Sequence, residues 1–134
     1  MGRGQLDWRL RNDPRVIVME GINARHLDTA VLPFSAALAT IDVSFISLRL
    51  IVPALMQHLA AEAWLVCLVK PQFEAGREQV GKGGIVRDES IRRETIDNTV
   101  RAIESLGLEL VGLVESPIRG QKGNIEELAA FRLP

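Results

Sequence analysis

Two rhythms of apolar and polar residues alternate along the chain. Short runs that are apolar nearly throughout form the first. Arg15-Val16-Ile17-Val18-Met19-Glu20 is closed by Gly21, and Leu38-Ala39-Thr40-Ile41-Asp42-Val43 carries an acid at its end. Trp64-Leu65-Val66-Cys67-Leu68-Val69-Lys70 stops at Pro71, and Leu108-Glu109-Leu110-Val111-Gly112-Leu113-Val114 stops before Ser116-Pro117. Runs of this kind predict strands covered on both faces, as in parallel sheets. Residues 124–132 read as a fifth strand or a short helix.

Longer amphipathic stretches form the second rhythm. Residues 45–59 keep Ile46, Leu50, Val52 and Leu55 on one side and contain Pro53, which predicts a break or a helix start. Residues 89–106 set Ile91, Ile96, Val100 and Ile103 near helical spacing, with Gly107 placed as a C-terminal cap. The alternation predicts one α/β domain over residues 1–134, an open, doubly wound, mostly parallel sheet flanked by helices. Ligands are expected at the carboxyl ends of its strands. Residues 73–88 break both rhythms. Gly76, Gly81, Gly83 and Gly84 stand there among Arg77, Lys82 and Arg87, directly after a strand, which suits a flexible excursion or a substrate-facing loop.

Composition narrows the function classes. The net charge of −1, from 16 basic and 17 acidic residues, argues against coating nucleic acid by bulk charge but leaves room for a local basic patch. Aromatic residues make up 4% with no tyrosine, which argues against a base-stacking platform. No apolar run is long enough to span a membrane and no secretory signal opens the chain, so a cytoplasmic location is expected. Cys67, the single cysteine, lies in an apolar run and reads as a buried, reduced thiol. His26 and His58 lack metal-ligand spacing, so no metal is expected.

Asp42 and Lys70 each close an apolar strand, where doubly wound folds build their sites. They form either an ion pair at the rim or part of a catalytic set. Glu126, at the start of the last element, is a third candidate, and Glu127 competes with it. Gly81-Lys82-Gly83-Gly84 lacks the order of a nucleotide phosphate loop. Ser44 and Ser47 have no evident histidine partner, so hydrolase chemistry falls away.

Five motifs occur in a telling order: Gly4-Gln5-Leu6-Asp7-Trp8-Arg9-Leu10-Arg11, Thr40-Ile41-Asp42-Val43-Ser44-Phe45-Ile46-Ser47, Val69-Lys70-Pro71-Gln72-Phe73-Glu74, Val80-Gly81-Lys82-Gly83-Gly84 and Gly123-Asn124-Ile125-Glu126. Together they resemble the TlyA (haemolysin A) family of FtsJ-like ribosomal RNA 2′-O-methyltransferases. The resemblance implies a Rossmann-like domain, S-adenosylmethionine as cofactor and ribosomal RNA as partner. Of the family's Lys-Asp-Lys-Glu tetrad, it places the aspartate on Asp42, the second lysine on Lys70 and the glutamate on Glu126. A ribose hydroxyl is a weak nucleophile, so the tetrad's work is in-line placement and relief of its proton: the lysine, positioned by the two acids, either deprotonates the hydroxyl, with a lowered pKa, or orients it, and the acids' charge by itself favours the protonated lysine. The resemblance sets Asn23 and Ala24 beside the adenine, and Asp42, Val43 and Ser44 toward the methionine end. Asn23 also reads simply as a turn residue after Gly21. Under this reading Arg77, Lys82, Arg87, Arg119 and Lys122 become phosphate contacts; otherwise they are solvated charge.

Family members carry further strands and a small RNA-binding domain before the Gly4-Gln5 motif, and the first tetrad lysine with them. Their absence here implies a truncated chain with weak or no cofactor binding. It also implies an apolar edge on the Ile41 strand, with self-association or partial disorder near residues 1–30. Competing expectations are a non-catalytic RNA-binding or assembly module and a membrane-active haemolysin; the latter draws no support from any spanning or basic amphipathic segment.

Overall fold

The computed structural model describes residues 3–29, 32 and 34–134. Residues 1, 2 and 30 of the stretch expected to be disordered lie outside the described residues. A short helix α1 (Trp8–Arg11) is followed by strand β1 (Ala36–Ile41), helix α2 (Leu48–Leu55) and the long strand β2 (Leu59–Val69). The short helix α3 (Pro71–Glu74), the long helix α4 (Glu89–Glu104) and strands β3 (Glu109–Glu115) and β4 (Glu127–Arg132) complete the chain. The open question over residues 124–132 resolves as a strand over Glu127–Arg132, with residues 124–126 leading into it.

The sheet order is β1-β2-β4-β3. β1 and β2 run parallel, but β4 pairs antiparallel with both β2 and β3. The sheet is therefore mixed and mostly antiparallel by pairing, and the expectation of a mostly parallel sheet is corrected. After Glu115 the chain turns back and inserts β4 between its two neighbours, which no apolar run announces. β1, β2 and β3 still point the same way, so their carboxyl ends share one rim with the start of β4.

Strand pleating sorts side chains onto two faces. Leu65 opposite Phe131 and Cys67 opposite Ala129 are fully buried on one face. Ile51 and Val52 of α2 and Ile96, Val100 and Ile103 of α4 join them in one core. α4 forms as the spacing predicts: Asp88 caps its start by accepting from Ser90 N and Ile91 N, and Gly107 follows its end at φ +100°. Pro53 neither breaks α2 nor begins it; it sits inside, and the helix tightens into a 3-10 turn at Met56–His58 soon after.

The run 15–20 is a second correction. Residues 16–20 belong to no strand, and no described strand pairs with them to take their backbone hydrogen bonds. The segment is tied instead by Gly4 N donating to Glu20 at 2.6 Å and by the Arg11–Glu20 ion pair.

Candidate active site at the carboxyl rim of the sheet

Register delivers the site. The last β1–β2 pair is Ile41 opposite Cys67, so the same offset carries Ser44 beside Lys70. Lys70 Nζ lies 2.7 Å from Asp42 Oδ1 and donates to Ser44 Oγ at 3.1 Å. The lysine side chain is 13% exposed and the aspartate 70%, so the pair stands with its cation inward and its anion toward water. Val69 faces Glu127 in the antiparallel β2–β4 pair, which sets Glu126 across from Lys70 one step further on.

Alternation also separates the two competing acids. Glu127 turns toward α4 and accepts from Arg93 Nη1 at 3.2 Å. Glu126 turns to the other side, where its Oε2 accepts from Gln72 Nε2 at 2.8 Å. A cavity of about 490 Å³ is lined by Asp42, Ser44, Lys70, Gln72, Arg119 and Glu126, among others. The structure thus brings together the three residues read as catalytic. The Asp42–Lys70 rim ion pair lies within that candidate set.

A second cavity, of about 800 Å³, shares Asp42 and Ser44 as a common wall. Asn23, Ala24 and Val43 line it as well, so all five residues assigned to the cofactor face one space. Asn23 keeps its turn role too, its side chain accepting from Arg25 N at 3.0 Å. Ile22, Ile46 and Ile51 give this cavity apolar walls beside the amide of Asn23, the carboxylate of Asp42 and the hydroxyl of Ser44. That mixture and volume suit a ligand with a flat heterocycle at one end and an amino acid at the other, which S-adenosylmethionine has.

The five basic candidates are dispersed. Arg119 lines the main cavity, and Lys122 lines a smaller one of about 100 Å³. Lys82 and Arg87 stand exposed on the glycine-rich loop, where Arg87 Nη1 donates to the Lys82 carbonyl. Arg77 is exposed in a 3-10 turn and lines none of these cavities.

Four features escaped sequence reasoning. Asn124 is buried and staples two loops, accepting from Val86 N and donating to the carbonyls of Gly84 and Gln121. Phe45, 82% exposed and at φ +64°, lies 4.9 Å from Phe73 between ring centroids. Low aromatic content pointed away from a stacking surface, yet two of the four phenylalanines meet at the small cavity beside Lys122. Gln72 is the third. Glu74 is the fourth: it accepts from Ser47 Oγ at 2.5 Å and from Leu48 N at 2.8 Å, bracing the start of α2, and burial pushes its carboxyl above the usual range. All stand in three of the quoted motifs, and the signal available was an aromatic or polar residue within four positions of Asp42, Lys70 or Glu126. Burial also pushes the Cys67 thiol up to about 12, consistent with an inert, buried cysteine.

The FtsJ-like methyltransferase family model matches residues 1–133. The chain belongs to the FtsJ-like methyltransferase family. Within it, this FtsJ-like chain is 45% identical over 126 residues to the 16S/23S rRNA (cytidine-2′-O)-methyltransferase TlyA of Mycobacterium tuberculosis, covering 94% of this chain and 47% of that protein. It is 41% identical to Hemolysin A of Brachyspira hyodysenteriae, over 98% of this chain and 55% of that one. A Lactococcus lactis structure that bears a hemolysin name superposes with a TM-score of 0.92 at 42% identity, covering 99% of this chain and 64% of that one. A similarly named Streptococcus thermophilus structure gives 0.90 at 46%, over 98% and 48%. The chain spans about half the length of the curated relatives it matches.

Proposed function

We propose that this FtsJ-like chain carries the catalytic half of an S-adenosylmethionine-dependent enzyme that methylates a ribose 2′-hydroxyl of ribosomal RNA. The observation that supports this reading most is the shared wall: Asp42 and Ser44 face both cavities and both contact Lys70. A donor held in one cavity and an acceptor held in the other would meet at that wall, which is what in-line transfer needs.

S-adenosylmethionine supplies a methyl group already activated on a sulfonium. The protein's part is to place the hydroxyl and receive its proton. A lysine ammonium has three N–H donors. Two are engaged by Asp42 and Ser44, which leaves the third for the 2′-oxygen. The carboxylates of Asp42 and Glu126 stand at either side to take up the proton as the O–C bond forms. Phe45 and Phe73 offer a ring surface beside this point, and stacking on one base contributes about 1–3 kcal/mol. Arg119, Lys122, Lys82, Arg87 and Arg77 are the phosphate contacts of the same reading, and they make binding salt-dependent.

The test is incorporation of labelled methyl groups into ribosomal RNA by the full-length protein, with the modified ribose mapped. Lys70→Ala is expected to lower turnover by about 10² or more, the scale of a positioned acid–base group. Undiminished transfer by that variant would sink the proposal. No helix among the described residues is long and apolar enough to cross a membrane, and no specific observation favours lysis as a second reading.

A further inference from the structure

Glu126 enters the main cavity in a constrained pose, and two residues outside the assigned set constrain it. Gln72 Nε2 donates to its Oε2 at 2.8 Å. On the other side Gly120 approaches so closely that a Cβ there would overlap the same oxygen. Gly120 has φ −72°, an ordinary value, so its missing side chain serves this approach and not the backbone. Glu126 is 4% exposed, and a carboxylate so far removed from water depends on such a donor.

The other end of the amide sharpens the point. Gln72 Oε1 is buried with no hydrogen-bond partner among the described residues. An unpaired buried acceptor is costly, and turning the amide over would set that oxygen against the carboxylate. The amide therefore keeps the orientation that serves Glu126 and leaves its own carbonyl unsatisfied.

We propose that Gln72 is a positioning residue whose amide, opposed by Gly120, aims the Glu126 carboxyl group into the cavity that Lys70 shares. The inference rests on the methyl-transfer reading above and deepens it. The charged groups around this cavity are Asp42 and Lys70 from the ends of β1 and β2 and Arg119 from the β3–β4 connection. Glu127 points the opposite way, paired with Arg93.

Carboxyl-carbon NMR titration of the glutamate-labelled chain reads Glu126 without any catalysis. Gln72→Glu sets a second carboxyl where the amide donates, and two such groups share a proton. The Glu126 signal is then expected to move in two steps, the upper one about one pH unit or more above that of the parent. Gln72→Met, which removes the donor at similar volume, and Gly120→Ala, which crowds the oxygen, are each expected to shift the signal as well. An unchanged Glu126 titration in folded Gln72→Met and Gly120→Ala overturns the clamp, whether or not Gln72→Glu folds.

The functional arm uses the full-length protein. Gln72→Met is expected to lower kcat by tenfold or more with KM for RNA little changed. Gln72→Glu is expected to keep turnover at acidic pH, where its shared proton replaces the amide donor, and to lose it as pH rises through the upper step. Wild-type kcat in Gln72→Met overturns the positioning role. If the NMR shifts appear and no form methylates RNA, the clamp stands and the methyl-transfer reading fails.

Discussion

The two faces of the sheet are built from the same strands and put to different uses. On one, Leu65, Cys67, Ala129 and Phe131 are fully buried against α2 and α4, and the single acid among them, Glu127, is neutralised by Arg93. On the other, Leu38 and Trp64 remain exposed, Arg132 lies over the Trp64 ring, and the charged residues Asp42, Lys70 and Glu126 gather at the rim. One face converts apolar area into stability, and the other holds polar groups in a cavity at some cost to stability. Two adjacent glutamates, one residue apart, fall on opposite sides of that division.

The contrast can be broken or sharpened by experiment. Phe131→Ala on the closed face is expected to cost about 3–5 kcal/mol, because it removes a fully buried ring. Trp64→Ala, at the facing residue's neighbour in β2 but on the open side and 38% exposed, is expected to cost less than half as much. Denaturant unfolding of the two variants checks both, and equal losses would erase the distinction between faces. Asn124→Ala comes next, at about 1–3 kcal/mol, since it strands the buried Val86 N–H and releases the glycine-rich loop.

A pH effect follows from Glu74. Its carboxyl is raised by burial above its ordinary 4.5, so the folded chain holds a proton that the unfolded chain has released. Stability is therefore expected to fall as pH climbs from about 4.5 through the raised folded value, and Glu74→Gln is expected to flatten that slope. Thermal melts across this range provide the measurement; a parent slope identical to the variant's would remove Glu74 as its source. The smallest expected effect is association. Among the described strands β1 lies at an edge, and we propose that its outer side pairs chains weakly, seen as a rise in sedimentation coefficient with concentration. A constant monomer would close the question against it.

Legibility in the sequence followed the physics of each element. α4 was readable because a cap, a periodic apolar stripe and a glycine stop all agree at Asp88, Ile96 and Gly107. β2 was readable over Trp64 to Lys70 but starts five residues earlier, where three alanines and Glu62 interrupt the run of large apolar residues after Leu59. Residues 16–20 carry the same β-forming types as β2, yet a strand needs a neighbour, and local composition does not record one. The direction of β4 is likewise a property of its partners. Asp42 and Lys70 were readable as charges closing apolar runs. Choosing Glu126 over Glu127 needed the phase of the pleat, which one residue of register reverses. Phe45, Gln72 and Asn124 acquire their roles from residues 28 to 54 positions away, and no local pattern carries that information.

Phe45 holds a left-handed backbone that a large side chain adopts only at a cost of about 1–2 kcal/mol. Its ring gains little burial in return, for it projects into solvent. Asparagine or glycine would rest there more comfortably. Under the proposed function the position defines a trade between firmness and use: relaxing the loop at Phe45 would give a sturdier protein that offers a nucleobase less ring surface.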